Sequence, residues 1–468
     1  MEAHSAKITR EMKIVLIACC LGVFMMPLMS TMMNLALPSL ETEFGIGAKA
    51  QALVNASFLL ASVTVMVPVA RLSDIVGRKK IFIAGLIATL IGAVIGIFCP
   101  SFSILLISRL IMGAGSAALS VSAVAMITDV FPLERRGFGI GVQSTFVYLG
   151  IAIGPALGGF ITFHFGWRTL FLFVIPIALL AFVAILNYKN ERRMDTWKKM
   201  DYRGTLLYSV MITLTLFGMI NLPSIWGILM IAAGLSVLLI FIMTMKKTES
   251  PVLEIGIFRH KVFTRACLAA YMNYGACYAV AFFFSLYLVN LGALTQPQAG
   301  LILLIQPLFQ VCLTWFFGNL SDKVKDKRIL PTAGMIMICI GISMVIFIEI
   351  ELNVYFIGII LATLGIGYGM FAAPNTNAVM SSLPPRNRGE ASGMIALFRQ
   401  VGMSTSLAIA MCTISFIMGT TDNLSDPSTW GPFIEVIRTA FTIYLIMSII
   451  GTFFAWFRGD KPKKSAPT

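Results

Sequence analysis

The chain has 468 residues, 58 % of them hydrophobic and only 12 % charged, with a mean hydropathy of +0.89. Soluble globular domains carry about a quarter charged residues, so a water-soluble enzyme is excluded. The formal net charge of +14 would suit nucleic acid, but the placement of the cations follows membrane topology, so no nucleic-acid partner is needed.

A bilayer-crossing helix takes roughly 20 apolar residues. Fourteen such stretches follow one another, at about 14–36, 51–70, 80–99, 103–128, 138–161, 167–187, 204–221, 225–245, 264–290, 298–318, 329–350, 354–379, 392–417 and 434–457. Lys7, Arg10 and Lys13 ahead of the first run imitate a signal peptide. The run continues into Asn34–Pro38 without a small-residue cleavage site, so it reads as a retained span. Of the 35 basic residues, 30 fall on surfaces of one parity, counted from the N-terminus. Lys49, Arg168 and Arg438 lie on the opposite surfaces, and Arg109 and Arg399 lie inside spans. Positive charge marks the cytoplasmic side, so both termini are predicted to be cytoplasmic in a multi-pass protein of the plasma (cytoplasmic) membrane.

Span 2 ends in Ala70-Arg-Leu72-Ser-Asp74-Ile-Val-Gly77-Arg78-Lys79, and a related run, Gly318-Asn-Leu320-Ser-Asp322, ends span 10. The two aspartates are 248 residues apart. The repeat predicts an all-α membrane protein of two pseudo-symmetric six-helix bundles with two inserted helices. The expected divisions are 1–190, a linker with spans 7 and 8 at 191–262, a second bundle at 263–458, and a basic tail at 459–468. Asp74, Gly77, Arg78 and Asp322 are expected to form a conformational latch, making charged contacts in one state and releasing them in another. In span 5, Gly150, Gly154, Gly158 and Gly159 share a face, and Pro155 is expected to bend the helix. Arg109 lies about six residues, roughly 9 Å, from the outer end of span 4, where a cation must face a cavity or a partner.

These residues resemble the major facilitator superfamily, and within it the fourteen-span drug:proton antiporter branch of multidrug efflux type. The loop after span 2 matches GxLaDrxGRk at Leu72, Asp74, Gly77, Arg78 and Lys79, with Ala70 for the first glycine. Arg109, Gly113 and Gly115 match RxxqGxG, with Met112 at the polar position, and Gly150 to Gly159 match the GxxxGPxxGG signature of exporters. The branch carries a span 1 aspartate, in a pattern like LDxTIVNVALP, that couples a proton. Here Leu28 to Pro38 place Met29 where that acid would stand. No Asp or Glu falls near mid-span, and Glu349 and Asp129 are the deepest by position.

The polar residues left in the spans form the expected substrate cavity: Asn34, Gln51, Asn55, Arg109, Gln143, Tyr148, Tyr271, Asn273, Tyr274, Tyr278, Gln306, Gln310, Asn375, Asn377, Arg399 and Gln400. Met29 joins them within the cluster Met25, Met26, Met29, Met32 and Met33, since thioethers repack around varied shapes. Eight cysteines without CxxC spacing read as buried free thiols, and His4, His164 and His260 are too scattered for a metal. No metal, no cofactor and no enzymatic activity are expected. The residues and the resemblance lead to a secondary active transporter, working as a monomer, that exports amphiphilic drugs or metabolites by alternating access. The resemblance adds protons as its coupling partner. A carboxylate-free, positive cavity favours neutral or anionic cargo, so an uncoupled or differently coupled metabolite exporter is the alternative. A non-transporting scaffold or sensor is the third reading.

Overall fold

The protein is described by a computed structural model, covering residues 9–132, 135–189, 201–248, 251–253, 255–324, 326–382, 388–419 and 422–459. It is all helix among these residues. The first half holds α1 (Arg10–Phe44), α2 (Ala48–Val76), α3 (Arg78–Ile97), α4 (Phe102–Val130), α5 (Arg136–Phe165) and α6 (Arg168–Leu186). Two further helices follow, α7 (Tyr202–Ile220) and α8 (Ile225–Met245). The second half opens with α9 (Lys261–Cys277), α10 (Val280–Leu286) and a π-turn at Tyr287–Leu291, which together make one crossing. It continues through α11 (Gln296–Leu303) and α12 (Ile305–Lys323), another single crossing, then α13 (Ile329–Val345), α14 (Val354–Ser381), α15 (Arg388–Ile417) and α16 (Trp430–Trp456).

Thirteen segments are long and apolar enough to cross a membrane, and α13 is a shorter apolar helix of 17 residues. Several helices start where a side chain satisfies a free backbone donor. Thr9 accepts from Met12 N at 3.2 Å, Asp201 from Gly204 N at 2.8 Å, and Asn353 from Phe356 N at 3.0 Å. Between α2 and α3 the whole turn is Gly77, at φ 118°, which a side chain would strain.

Packing repeats between the halves. Helix α1 packs on α4, α5 and α6 as the α9 crossing packs on α14, α15 and α16. The pairs α3·α4 and α13·α14 each close on glycine. A Cβ on Gly115 would lie 2.8 Å from Gly85 O, and one on Gly334 would lie 2.7 Å from Gly367 O. Helices in lipid gain little from apolar burial against one another, so this close backbone approach supplies the dispersion contact that holds them. The same contact gives α13 the position of α3 despite its shorter length. Helices α7 and α8 pack on each other, with α7 against α2 and α15. Of the most apolar 18-residue window, 28 % is buried in α7 and 17 % in α8, against 78 % within residues 261–291, so this pair lies at the periphery.

The halves meet through α2·α15, α5·α11 and α5·α12. Their polar contacts gather at the end carrying the α1–α2 turn, the predicted outer end. There Gln296 Nε2 donates to Ser39 Oγ at 2.7 Å, and Lys49 Nζ donates to Ser415 Oγ at 3.0 Å. At the other end Gly137, Gly141 and Gly393 face open space, with nothing within 4 Å of an added Cβ.

Candidate functional site

Gly113 sets the site geometry. It lets α4 approach α2 until an added Cβ would meet Ala61 Cβ at 3.1 Å. That approach carries Arg109 into the N-terminal half, where it is fully buried. Its Nε donates to Val54 O at 3.3 Å and its Nη2 to Asn55 Oδ1 at 3.2 Å, while Asn55 Nδ2 donates to Asn34 Oδ1 at 2.7 Å. The guanidinium stands 4.8 Å from the Phe58 ring centroid. Nη1 is buried with no hydrogen-bond partner, and among the described residues no carboxylate pairs with Arg109. A buried cation with one free donor pair is costly and is set to receive an acceptor.

Tyr278 carries the site across to the second half, its hydroxyl 2.7 Å from Ser30 Oγ. One turn earlier, Tyr274 lies 5.9 Å from the Tyr368 ring centroid and 5.9 Å from the Arg399 guanidinium carbon, with Tyr148 of α5 beside it. Tyr271 donates to Thr405 Oγ1 at 3.2 Å. Asn34, Asn55, Arg109 and Tyr278 thus stand in one polar group, and Tyr148, Tyr274 and Arg399 in an aromatic one beside it. Tyr368 belongs to the second group and was missed from sequence, because a tyrosine in a Gly-rich span carries no pattern of its own.

Other expected cavity residues are placed differently. Met29 is fully buried in the packed interior of α1, as are Met25, Met32 and Met33. Asn375 donates to Ala266 O at 3.1 Å and accepts from Arg458, and Asn377 donates to Ser321 Oγ at 2.9 Å, so both are taken up near the end opposite the α1–α2 turn. Gln143 and Gln310 are buried and Gln306 is half-buried, on helices α5 and α12, which face each other across the halves. Gln400 Nε2 donates to Ser62 Oγ at 3.1 Å, tying α15 to α2. Asn273 donates to Met335 Sδ at 3.2 Å within the second half.

The contacts of the expected latch residues centre on Arg78. It pairs with Asp129 at the end of α4, reaches Asp74 Oδ1 at 3.3 Å, and donates to Ala125 O at 2.8 Å. Asp74 itself is half-exposed, and the side chain of Asp322 lies outside the described residues. In the second copy of the loop, Asp326 pairs with Arg328. Arg328 beside it holds its carboxyl below the usual range, with Nη2 at 2.7 Å. Arg78→Ala is expected to lower the apparent Tm, at a cost of about 1–3 kcal/mol from a half-buried carboxylate left without its cation. Adding Asp129→Asn recovers part of the loss, a non-additivity that thermal unfolding of the two variants in detergent would measure.

Helix α5 runs unbroken through Pro155. Its glycines face two ways: Gly150, Gly154 and Gly158 close on α1, while Gly159 closes on Gln296 and Pro297 of the other half. Pro155 O in turn lies 2.6 Å from where a Gly300 Cβ would stand.

Three expectations need correction. Glu349 is exposed just beyond α13, and Asp129 is engaged by Arg78, so neither is a free buried acid. Cys312 is exposed, and Cys339 and Cys412 are half-buried. Among the described residues the buried acid is Glu41, 5 % exposed, which position along the helix did not single out because it lies near the end of span 1. The loops at 290 and 425 fold over it.

A family model described as the Major Facilitator Superfamily matches residues 19–407. The riboflavin transporter RibZ of Clostridioides difficile is 27 % identical over 456 residues, covering 97 % of this chain and 98 % of RibZ. The multidrug resistance protein Stp of Mycobacterium tuberculosis is 26 % identical over 409 residues, covering 86 % of this chain and 75 % of Stp. Among solved structures, a bacterial homologue of the human lysosomal transporter Spinster superposes with a TM-score of 0.69 at 17 % identity, covering 96 % of this chain and 97 % of that one, a likeness of fold.

Proposed function

Because the chain belongs to the major facilitator superfamily, we propose that it is a secondary transporter exporting planar amphiphilic molecules, neutral or anionic, by alternating access. The free Nη1 of Arg109 carries this reading. A buried guanidinium with neutral partners attracts a carbonyl, an imide or an anion and repels a lipophilic cation. The ring cluster of Tyr148, Tyr274 and Tyr368 suits a flat π-system, and RibZ, similar along nearly its whole length and named for riboflavin, supports the same class. The likeness to Stp supports the broader multidrug reading. Export follows from the resemblance of Gly150–Gly159 to the exporter signature.

Both termini are assigned to the cytoplasm, and α13 to the fourteenth crossing, its 17 residues spanning about 25 Å. With that orientation the closed α1–α2 end is extracellular and the conformation is inward-facing. Flux in proteoliposomes, with and without an imposed pH gradient, tests the cargo using riboflavin, its phosphate ester and tetraphenylphosphonium. Movement of riboflavin or its ester, with the cation left behind, is the expected result. Gradient-driven flux of the cation alone overturns it, whereas the gradient dependence of riboflavin flux decides whether a proton is carried.

A further inference from the structure

Glu41 binds both halves at once. Its Oε2 accepts from Gln51 Nε2 of α2 at 2.9 Å and from Asn290 Nδ2, in the π-turn of the second half, at 3.4 Å. Its Oε1 accepts from Ser425, in the α15–α16 loop, through the backbone N–H at 3.0 Å and the hydroxyl at 3.2 Å. The residue is buried, and among the described residues no cation lies within ion-pair distance of it. The charged groups on the surrounding elements are engaged elsewhere. Glu43 on α1 pairs with Arg168 and accepts from Trp167, and Lys49 on α2 donates from Nζ to Ser415 and from its backbone N–H to Asp422. Asp426 in the loop caps the turn at Ser428, and Arg438 on α16 donates to Ile348 O. Beyond Tyr287, Glu349 and Glu351 offer only their carbonyls to its hydroxyl.

We propose that Glu41 is a proton-operated strap of the outer gate, ionised when the gate is closed and released from the second half when protonated. The proposal rests on the alternating-access reading. As a carboxylate, Glu41 uses all four of its donors, two of the three donor residues being in the partner half, and bonds to an ionised acceptor are the stronger kind. As a carboxylic acid it needs one acceptor. The fully buried Oε1 of Gln51 has no partner and can take that O–H once the amide turns. Protonation therefore exchanges bonds between halves for a bond within the first half, and external acid shifts the population toward the outward-open state. Glu41 is a positioning residue and need not touch cargo.

The test is the distance between spin labels at Phe98→Cys and Tyr355→Cys, exposed positions at the outer ends of the two halves, in the full chain in nanodiscs with Cys312, Cys339 and Cys412 replaced by serine. Between about pH 7 and about pH 3.5, a range that spans the ordinary glutamate value, the closed-to-open ratio is expected to fall about tenfold or more, as lost bonds to a charged acceptor imply. Glu41→Gln is expected to sit in the acid distribution at both pH values. A wild-type pH response retained in Glu41→Gln, or no response in the wild type, overturns the strap. Gly159→Leu, which obstructs gate closure by bulk, separates the two ideas. If it lengthens the distance while Glu41→Gln does not, the strap alone fails. If neither variant moves it, alternating access at this gate fails and takes the strap with it.

Discussion

Arg109→Ala is expected to lower flux of the neutral or anionic cargo about 100-fold or more while leaving the apparent Tm unchanged or raised. The two effects separate because of how the guanidinium is held. Its partners are a backbone carbonyl, an amide and a ring face, all neutral, and one donor group is unpaired. A buried cation without a counter-ion costs several kcal/mol of desolvation that these contacts repay only in part. Removing it therefore costs the fold little, although Asn55 Oδ1 loses its donor. Cargo recognition loses its one buried cation on the α2–α4 face, and charged hydrogen bonds of about 1.5–3 kcal/mol each compound to the stated loss. Arg109→Lys is expected to recover little, since an ammonium cannot reach Val54 O and Asn55 Oδ1 while leaving a donor pair free. Proteoliposome flux and thermal unfolding of the same preparations check both halves of the prediction. A large fall in Tm would make Arg109 a structural residue instead.

The architecture was legible in the sequence because bilayers impose it. Span length and the Asp74/Asp322 repeat each report a constraint that acts on local sequence, and each expected span overlaps one helical crossing or, at α13, a shorter apolar helix. The site was legible only where a residue is anomalous where it stands. Arg109 is such a residue, since no apolar span keeps an arginine without cause. Asn375 and Asn377 look alike in sequence to Asn34 and Asn55, yet Arg458, Ala266 and Ser321 consume them, and only the fold decides which amides find partners. Glu41 failed for the converse reason. An acid three residues from a helix end is usually solvated, and nothing near it in sequence says that Asn290 and Ser425 will cover it.

Two adjacent glycines of α5 are expected to respond to leucine in opposite ways. Gly158 faces α1 inside the first half, where an added Cβ would lie 2.6 Å from Met32 Cα. That contact belongs to the packing of α1 on α5 within the first half, which the alternating-access reading keeps in every conformation. Gly158→Leu should therefore destabilise the protein outright, by about 1–3 kcal/mol for overpacking, seen as a lower Tm at any pH. Gly159 faces the other half, where its Cβ would overlap Gln296 O and approach Pro297 Cα to 3.2 Å. On the alternating-access reading this contact exists only while the α1–α2 end is shut. Gly159→Leu should then leave each bundle intact and penalise one state, holding the gate open and abolishing turnover with little change in Tm. Labelled-pair distances and flux distinguish the two variants. If Gly159→Leu also unfolds the protein, the α5–α11 contact is structural, and the interface between the halves is not the one that opens.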